Sequence, residues 1–168
     1  LAPHPPTPTS IPSLVYRVHR PGAQTRYHFG TGFSAKNQTT IVNFTSGLSR
    51  FGLAHLNCQT NISSPFISVY DNAEHAERVA KYLSRKFGEE TWVVTVDTRH
   101  LARGPVFRAV DLLGGSEQHA ADQEAEFLHH GEYLVMYKIP AQAIRDQTPV
   151  GRGAEGKWKA VGGLGAIG

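Results

Sequence analysis

Gly131-Glu-Tyr-Leu-Val-Met-Tyr-Lys-Ile-Pro140 opens with a carboxylate and then alternates like a half-buried strand. Gly131 stops the element before it, and Pro140 cannot continue a ladder. A strand is therefore predicted over residues 132–139. Side chains alternate across a strand, so Glu132, Leu134 and Met136 share one face and Tyr133, Val135 and Tyr137 the other. A carboxylate on a face that is otherwise apolar is costly unless it is paired or meets a wet cleft. Pro140 is read as opening a short helix over residues 141–145.

Working outward, Ser116 is a candidate cap for a helix running to His130, and Gly131 ends it. Thr91-Trp-Val-Val-Thr-Val-Asp97 is the strongest strand signal in the chain. Ahead of it, Asp71 or Asn72 caps a helix over residues 73–87 that stops at Gly88. Its expected buried face is Ala76, Val79, Ala80, Leu83 and Phe87, with Glu74–Arg78 and Glu77–Lys81 as exposed i,i+4 pairs. Pro65-Phe-Ile-Ser-Val69 reads as a short strand and residues 20–34 as loop. Leu14–His19 reads as a strand with Val15 and Arg17 on one face and Leu14, Tyr16 and Val18 on the other. Strands and helices without regular βαβ alternation make an α+β domain. Residues 1–13 hold five prolines and form an extended arm, and residues 151–168 form a Gly-rich tail. The body is residues 14–150, and the unusual ends suggest a piece of a longer protein.

A length of 168 residues fits one domain, and 40% hydrophobic residues are enough for one core. The net charge of +3, with both signs interspersed, gives no basic stripe for a nucleic acid. Cys58 is the only cysteine, so no internal disulfide can form, and it reads as a small buried side chain. Three glycosylation triplets, at Asn37, Asn43 and Asn61, leave secretion open. No apolar run spans a membrane, and the start lacks the order of a signal peptide. His119, His129 and His130 share the second helix, but 119 and 130 are about three turns apart, and neither HExxH nor CxxC accompanies them. No metal site is expected. Gly30-Thr-Gly-Phe and Gly162-Gly-Leu-Gly lack the setting of a phosphate loop.

Three polar residues interrupt apolar strands: Arg17, Ser68 and Glu132. Taken singly, a structural Arg17–Glu132 ion pair is the simpler reading. Their company points elsewhere. Val15-Tyr-Arg-Val-His followed by Gly32-Phe33, then Ala54-His55-Leu56, then Pro65-Phe-Ile-Ser-Val, then Gly131-Glu-Tyr-Leu-Val running into Lys138-Ile-Pro-Ala-Gln-Ala-Ile-Arg145, form an ordered set. This set resembles the mono-ADP-ribosyltransferases of the pertussis- and cholera-toxin type, defined by arginine, serine and glutamate in that order.

The resemblance implies an ADP-ribosyltransferase-like fold: two small mixed or antiparallel sheets form an NAD+-binding cleft flanked by helices. It implies cleavage of NAD+, a substrate here, at the nicotinamide–ribose bond, and transfer of ADP-ribose to a macromolecular acceptor, protein or nucleic acid. Glu132 would stabilise the oxocarbenium-like charge, Ser68 would hold Glu132, and Arg17 would clamp the diphosphate or nicotinamide ribose. Val18 and His55 would join Arg17 and Ser68 in the binding site, and Tyr82, on the helix after Ser68, is a candidate cover for the nicotinamide ring. Ser68-Val69-Tyr70 keeps only the first residue of the family's Ser-Thr-Ser. His130 stands two positions before Glu132, where members that modify arginine carry glutamate. Histidine there can orient a nucleophile or act as a base, but arginine as the acceptor is disfavoured. An NAD+ glycohydrolase on the same scaffold and a catalytically inactive nucleotide- or partner-binding module stay open. Localisation is not legible, although the resemblance is to secreted toxins and effectors.

Overall fold

The structure is a computed structural model that describes residues 9–42, 46–57, 62–102, 104–113 and 123–151. Its strands are β1 (Leu14–His19), β2 (Arg26–His28), β3 (Gly32–Ser34), β4 (Phe66–Tyr70), β5 (Glu90–Asp97), β6 (Val106–Arg108), β7 (Glu132–Met136), β8 (Lys138–Ile139) and β9 (Ile144–Gly151). The helices are α1 (Ser46–Leu56), α2 (Ala73–Phe87), α3 (Ala109–Leu113) and α4 (Gln123–His129). The described strands make two antiparallel sheets, ordered β6-β7-β4-β1-β5-β9 and β2-β3-β8. The domain is α+β, as the sequence predicts.

Between the sheets lies an apolar core that includes Val15, Phe33, Ile67, Val69, Val94, Val96, Val135 and Ile139. These are the inward positions of alternating strands, and β-branched side chains suit a pleated surface. A second cluster, including Leu48, Leu56, Phe66, Phe107 and Leu134, seats α1 and α3 against the other face. Helix α2 covers the rest of that face through Ala76, Val79 and Ala80, all fully buried. Its N-cap is Asn72, whose side chain accepts from the His75 N–H at 2.8 Å, and its stop is Gly88 in the left-handed region. Phe87, expected in the core, is 46% exposed: the helix ends beyond the sheet, and the Arg20 guanidinium covers the ring at 4.0 Å from its centroid. Of the two expected surface pairs, Glu77–Lys81 forms, at 3.4 Å.

The chain departs from the sequence reading in three further places. Residues 20–34, expected as loop, contain the β2–β3 hairpin. Gly32 sits at φ +86, and a Cβ there would lie 2.1 Å from the Ile139 carbonyl oxygen, so only glycine lets β3 lie against β8. The strand expected over residues 132–139 breaks at Tyr137, which adopts φ 66 and carries the chain from the large sheet to the small one. Its N–H donates to the Pro65 carbonyl and its carbonyl accepts from Ala35 N–H, each at 2.8 Å, which holds the switch in place. The short helix expected over residues 141–145 is a single 3-10 turn, Ala141–Ala143, and Arg145 lies in β9. Strand β9 is an edge strand, the kind of position in which a sheet tolerates a proline such as Pro149. Asn43, Cys58, Asn61, Ser116 and His119 lie outside the described residues, as do most of the arm and nearly all of the tail.

Candidate active site

Strand β1 pairs with β5 along its whole length, and β4 with β7 likewise, but β1 and β4 register only at Tyr16–Tyr70. Beyond that position the two strands part. The parting leaves the Ser68 carbonyl without a strand partner, and the Arg17 side chain turns into the gap to donate to it from Nη1 at 2.9 Å. A cleft of about 200 Å³ opens here, between β1, β4 and the start of β7. Arg17, Val18, His55, Ser68, His129 and Glu132 all reach it.

Arg17 is 5% exposed, and burial pulls its guanidinium down to about 10, against the pull of Tyr70 and Glu132. It is still a cation at neutral pH. Its Nε is buried without a hydrogen-bond partner. An orphaned donor on a buried cation is expensive, so it marks a place where an acceptor belongs. Glu132 is 4% exposed and registers with Tyr70, at the first position of β7. No ion pair joins Arg17 to Glu132 among the described residues, so the structural-pair reading does not hold. The carboxylate instead accepts from His129 Nδ1 at 2.6 Å. Gly131, at φ +65, reverses the chain between them, and a Cβ there would meet Asp71 Oδ1 at 2.4 Å.

Ser68 is held by His55, not by Glu132. His55, near the end of α1, has Nε2 2.6 Å from Ser68 Oγ and Nδ1 2.6 Å from Ser64 Oγ. Burial pushes this imidazole down to about 4, against the pull of Glu132. A neutral ring donates from one nitrogen and accepts at the other, so it orients both hydroxyls at once. The loop wall is tied to the same network, since Gln24 Oε1 accepts from the Ser64 N–H at 3.1 Å.

Five of the expected residues therefore meet in one cleft: Arg17, Val18, His55, Ser68 and Glu132. Two do not. His130 is exposed and packs edge-on against His75, with ring centroids 5.3 Å apart, because α4 ends at His129 and the turn carries the next side chain outward. Tyr82 points to Glu124 of α4, with its hydroxyl on the carboxylate, and the wall at that side is Leu83. The residue that sequence reasoning missed is His129. Its signal was present: a histidine ending a helix, three positions before a strand carboxylate and across a glycine.

The acid response of the domain follows from its histidines. Burial pushes His55 and His19 down to about 4, Arg17 adding to the effect at His19, and it lowers His75 as well. Each ring binds its proton more weakly folded than unfolded, where the value is near 6.5. The stability they contribute is complete above that value and is lost as pH falls from about 6.5 toward 4. The melting temperature should drop by roughly 5 °C or more across that window, and less in His55→Gln. A flat profile by circular dichroism would contradict the burial of these rings as neutral groups.

Residues 10–152 match a family described as a domain of unknown function, DUF7587. No curated protein matches the sequence.

Proposed function

The chain belongs to the DUF7587 family, and we propose that it is a mono-ADP-ribosyltransferase of ADP-ribosyltransferase-like fold that cleaves NAD+ at the nicotinamide–ribose bond. One observation carries the reading. The parting of β1 and β4 brings a buried guanidinium with an unused donor and a buried carboxylate into one cleft. A substrate with an anionic middle and a cationic glycosidic centre uses both. Arg17 binds the diphosphate or the ribose hydroxyls, since a guanidinium can offer two parallel donors. Glu132 faces the ribose C1′ and stabilises the positive charge that develops as the C1′–N bond breaks. Nicotinamide leaves with the bonding electron pair, the acceptor attacks C1′, and the acceptor's proton is released. Val18 and the apolar wall at Leu83 and Leu128 exclude water from the ring side of the cleft.

Ser68 acts through the network it shares with His55, bracing β4 beside the carboxylate. His129 takes the positioning role that the resemblance gave to Ser68: its hydrogen bond holds Glu132 in one rotamer. His129→Ala should lower kcat by roughly ten- to hundredfold with little change in KM for NAD+. His129→Asn, which keeps a donor, should recover part of the loss. Equal rises in KM and losses of melting temperature in both variants would make His129 a packing residue only.

The acceptor in this reading is macromolecular and is not an arginine side chain, because His130 is no carboxylate and faces away from Glu132. Incubation with NAD+, with and without cell extract, separates transfer from hydrolysis. Release of nicotinamide only with extract, with ADP-ribose mass on a macromolecule, supports transfer. Release into water, with no added mass on any protein, makes the domain a glycohydrolase. No release under either condition overturns the enzymatic reading and leaves a binding module. Among the described residues no helix is long and apolar enough to cross a membrane.

A further inference from the structure

A second cavity, of about 650 Å³, lies on the far side of the loop Gly22–Thr25, which walls both spaces. Its size is within the range of about 300–1,000 Å³ usual for small-molecule sites. Two cations line it, Arg26 of β2 and Lys36 just beyond β3, and no carboxylate does. Neither cation has an ion-pair or side-chain hydrogen-bond partner among the described residues. The nearest acid to the loop, Glu89, is already committed to Arg20 at 3.2 Å and to the Gly22 N–H. His19 also lines the cavity, and its buried Nδ1 is without a partner.

We propose that this second cavity binds the phosphate of a nucleotide-sized ligand, with Arg26 and Lys36 as its counter-charges. Two cations lining one cavity, with no ion-pair partner among the described residues, match a dianion better than a single carboxylate, and a phosphomonoester carries nearly two negative charges at neutral pH. The cavity is larger than a phosphate alone requires, and its inner wall is formed by Tyr27 and His19, whose rings lie 5.8 Å apart. A nucleoside occupies that remaining space. The hairpin places these groups: Arg26 registers with Ser34, two residues before Lys36, so one end of the small sheet carries both charges. The inference does not rest on nicotinamide cleavage, because none of its residues is Glu132 or a neighbour of it.

The test is titration of AMP, adenosine and inorganic phosphate into the whole chain, followed by calorimetry. AMP should bind the wild type saturably and adenosine at least tenfold more weakly, with inorganic phosphate competing against AMP. Both cations are exposed, so the double variant Arg26→Gln, Lys36→Gln should fold as the wild type does and bind AMP at least tenfold more weakly. Added salt should weaken the wild type more than the variant. Equal AMP binding by wild type and double variant overturns the proposal, as does adenosine binding as tightly as AMP. Loss of AMP binding in Arg17→Lys, with retention in the double variant, would assign the phosphate to the first cleft and overturn it equally.

Discussion

Glu132→Gln should release nicotinamide from NAD+ at least roughly a hundredfold more slowly than the wild type while melting within a few degrees of it. The size of the effect follows from where charge appears. In the reaction proposed here the ribose becomes cationic only as the glycosidic bond breaks. A carboxylate held at that position therefore stabilises the transition state more than the bound substrate, and its removal lowers kcat. The sparing of the fold follows from the amide, which is nearly the same shape and still offers an oxygen to His129 Nδ1. Glu132→Ala is the harsher companion: it should lose the same turnover, and it removes the carboxylate that His129 Nδ1 bonds in the native protein. Collapse of the fold in both variants, or full turnover in either, would remove Glu132 from the chemistry.

Arg17→Lys should bind NAD+ roughly ten- to hundredfold more weakly, since a charge-assisted hydrogen bond contributes about 1.5–3 kcal/mol. Lysine keeps the positive charge but not the planar fork, so the comparison isolates the geometry of the donor set. The native side chain spends Nη1 on the Ser68 carbonyl and leaves Nε unused. In the proposed reading, that unused donor is the one NAD+ satisfies. A residue present only to bridge two parted strands would have its donors satisfied within the protein. Arg17→Lys should therefore raise KM for NAD+ far more than it lowers the melting temperature. A variant that loses stability but keeps its KM would make Arg17 a strap across the sheet and nothing more.

Much of this site was legible in the residues because its groups interrupt otherwise regular patterns. Arg17, Ser68 and Glu132 each stand in a strand that is otherwise mostly apolar, and a polar break in a strand needs a reason. Helix α2 was equally plain, from a cap at Asp71 or Asn72 through its apolar stripe to Gly88. What was not legible depends on contacts distant in sequence. The β2–β3 hairpin has too few apolar residues to show alternation, and it exists because Gly32 fits against Ile139. Tyr137 looked like one more strand residue, and its left-handed backbone is set by Pro65 and Ala35 from elsewhere in the chain. Strand β9, with Asp146, Gln147 and Pro149, has no strand signature and is held by its long partner β5. Counting positions back from Glu132 favoured His130, but helix α4 ends one residue earlier, so the turn presents His129 to the carboxylate and sends His130 to His75. The two residues differ by one place in the sequence and by a reversal of direction in space.

The most direct measurement is the fate of NAD+ itself, followed by proton NMR with the purified chain at near-stoichiometric concentration, with and without a cell extract that supplies the acceptor. With extract present, free nicotinamide should appear as the glycosidic signal of NAD+ is lost; Glu132→Gln should abolish the change within detection, and Arg17→Lys should delay it until NAD+ is raised. NAD+ left intact by the wild type, with and without a cell extract, while the fold is present by circular dichroism, would contradict it.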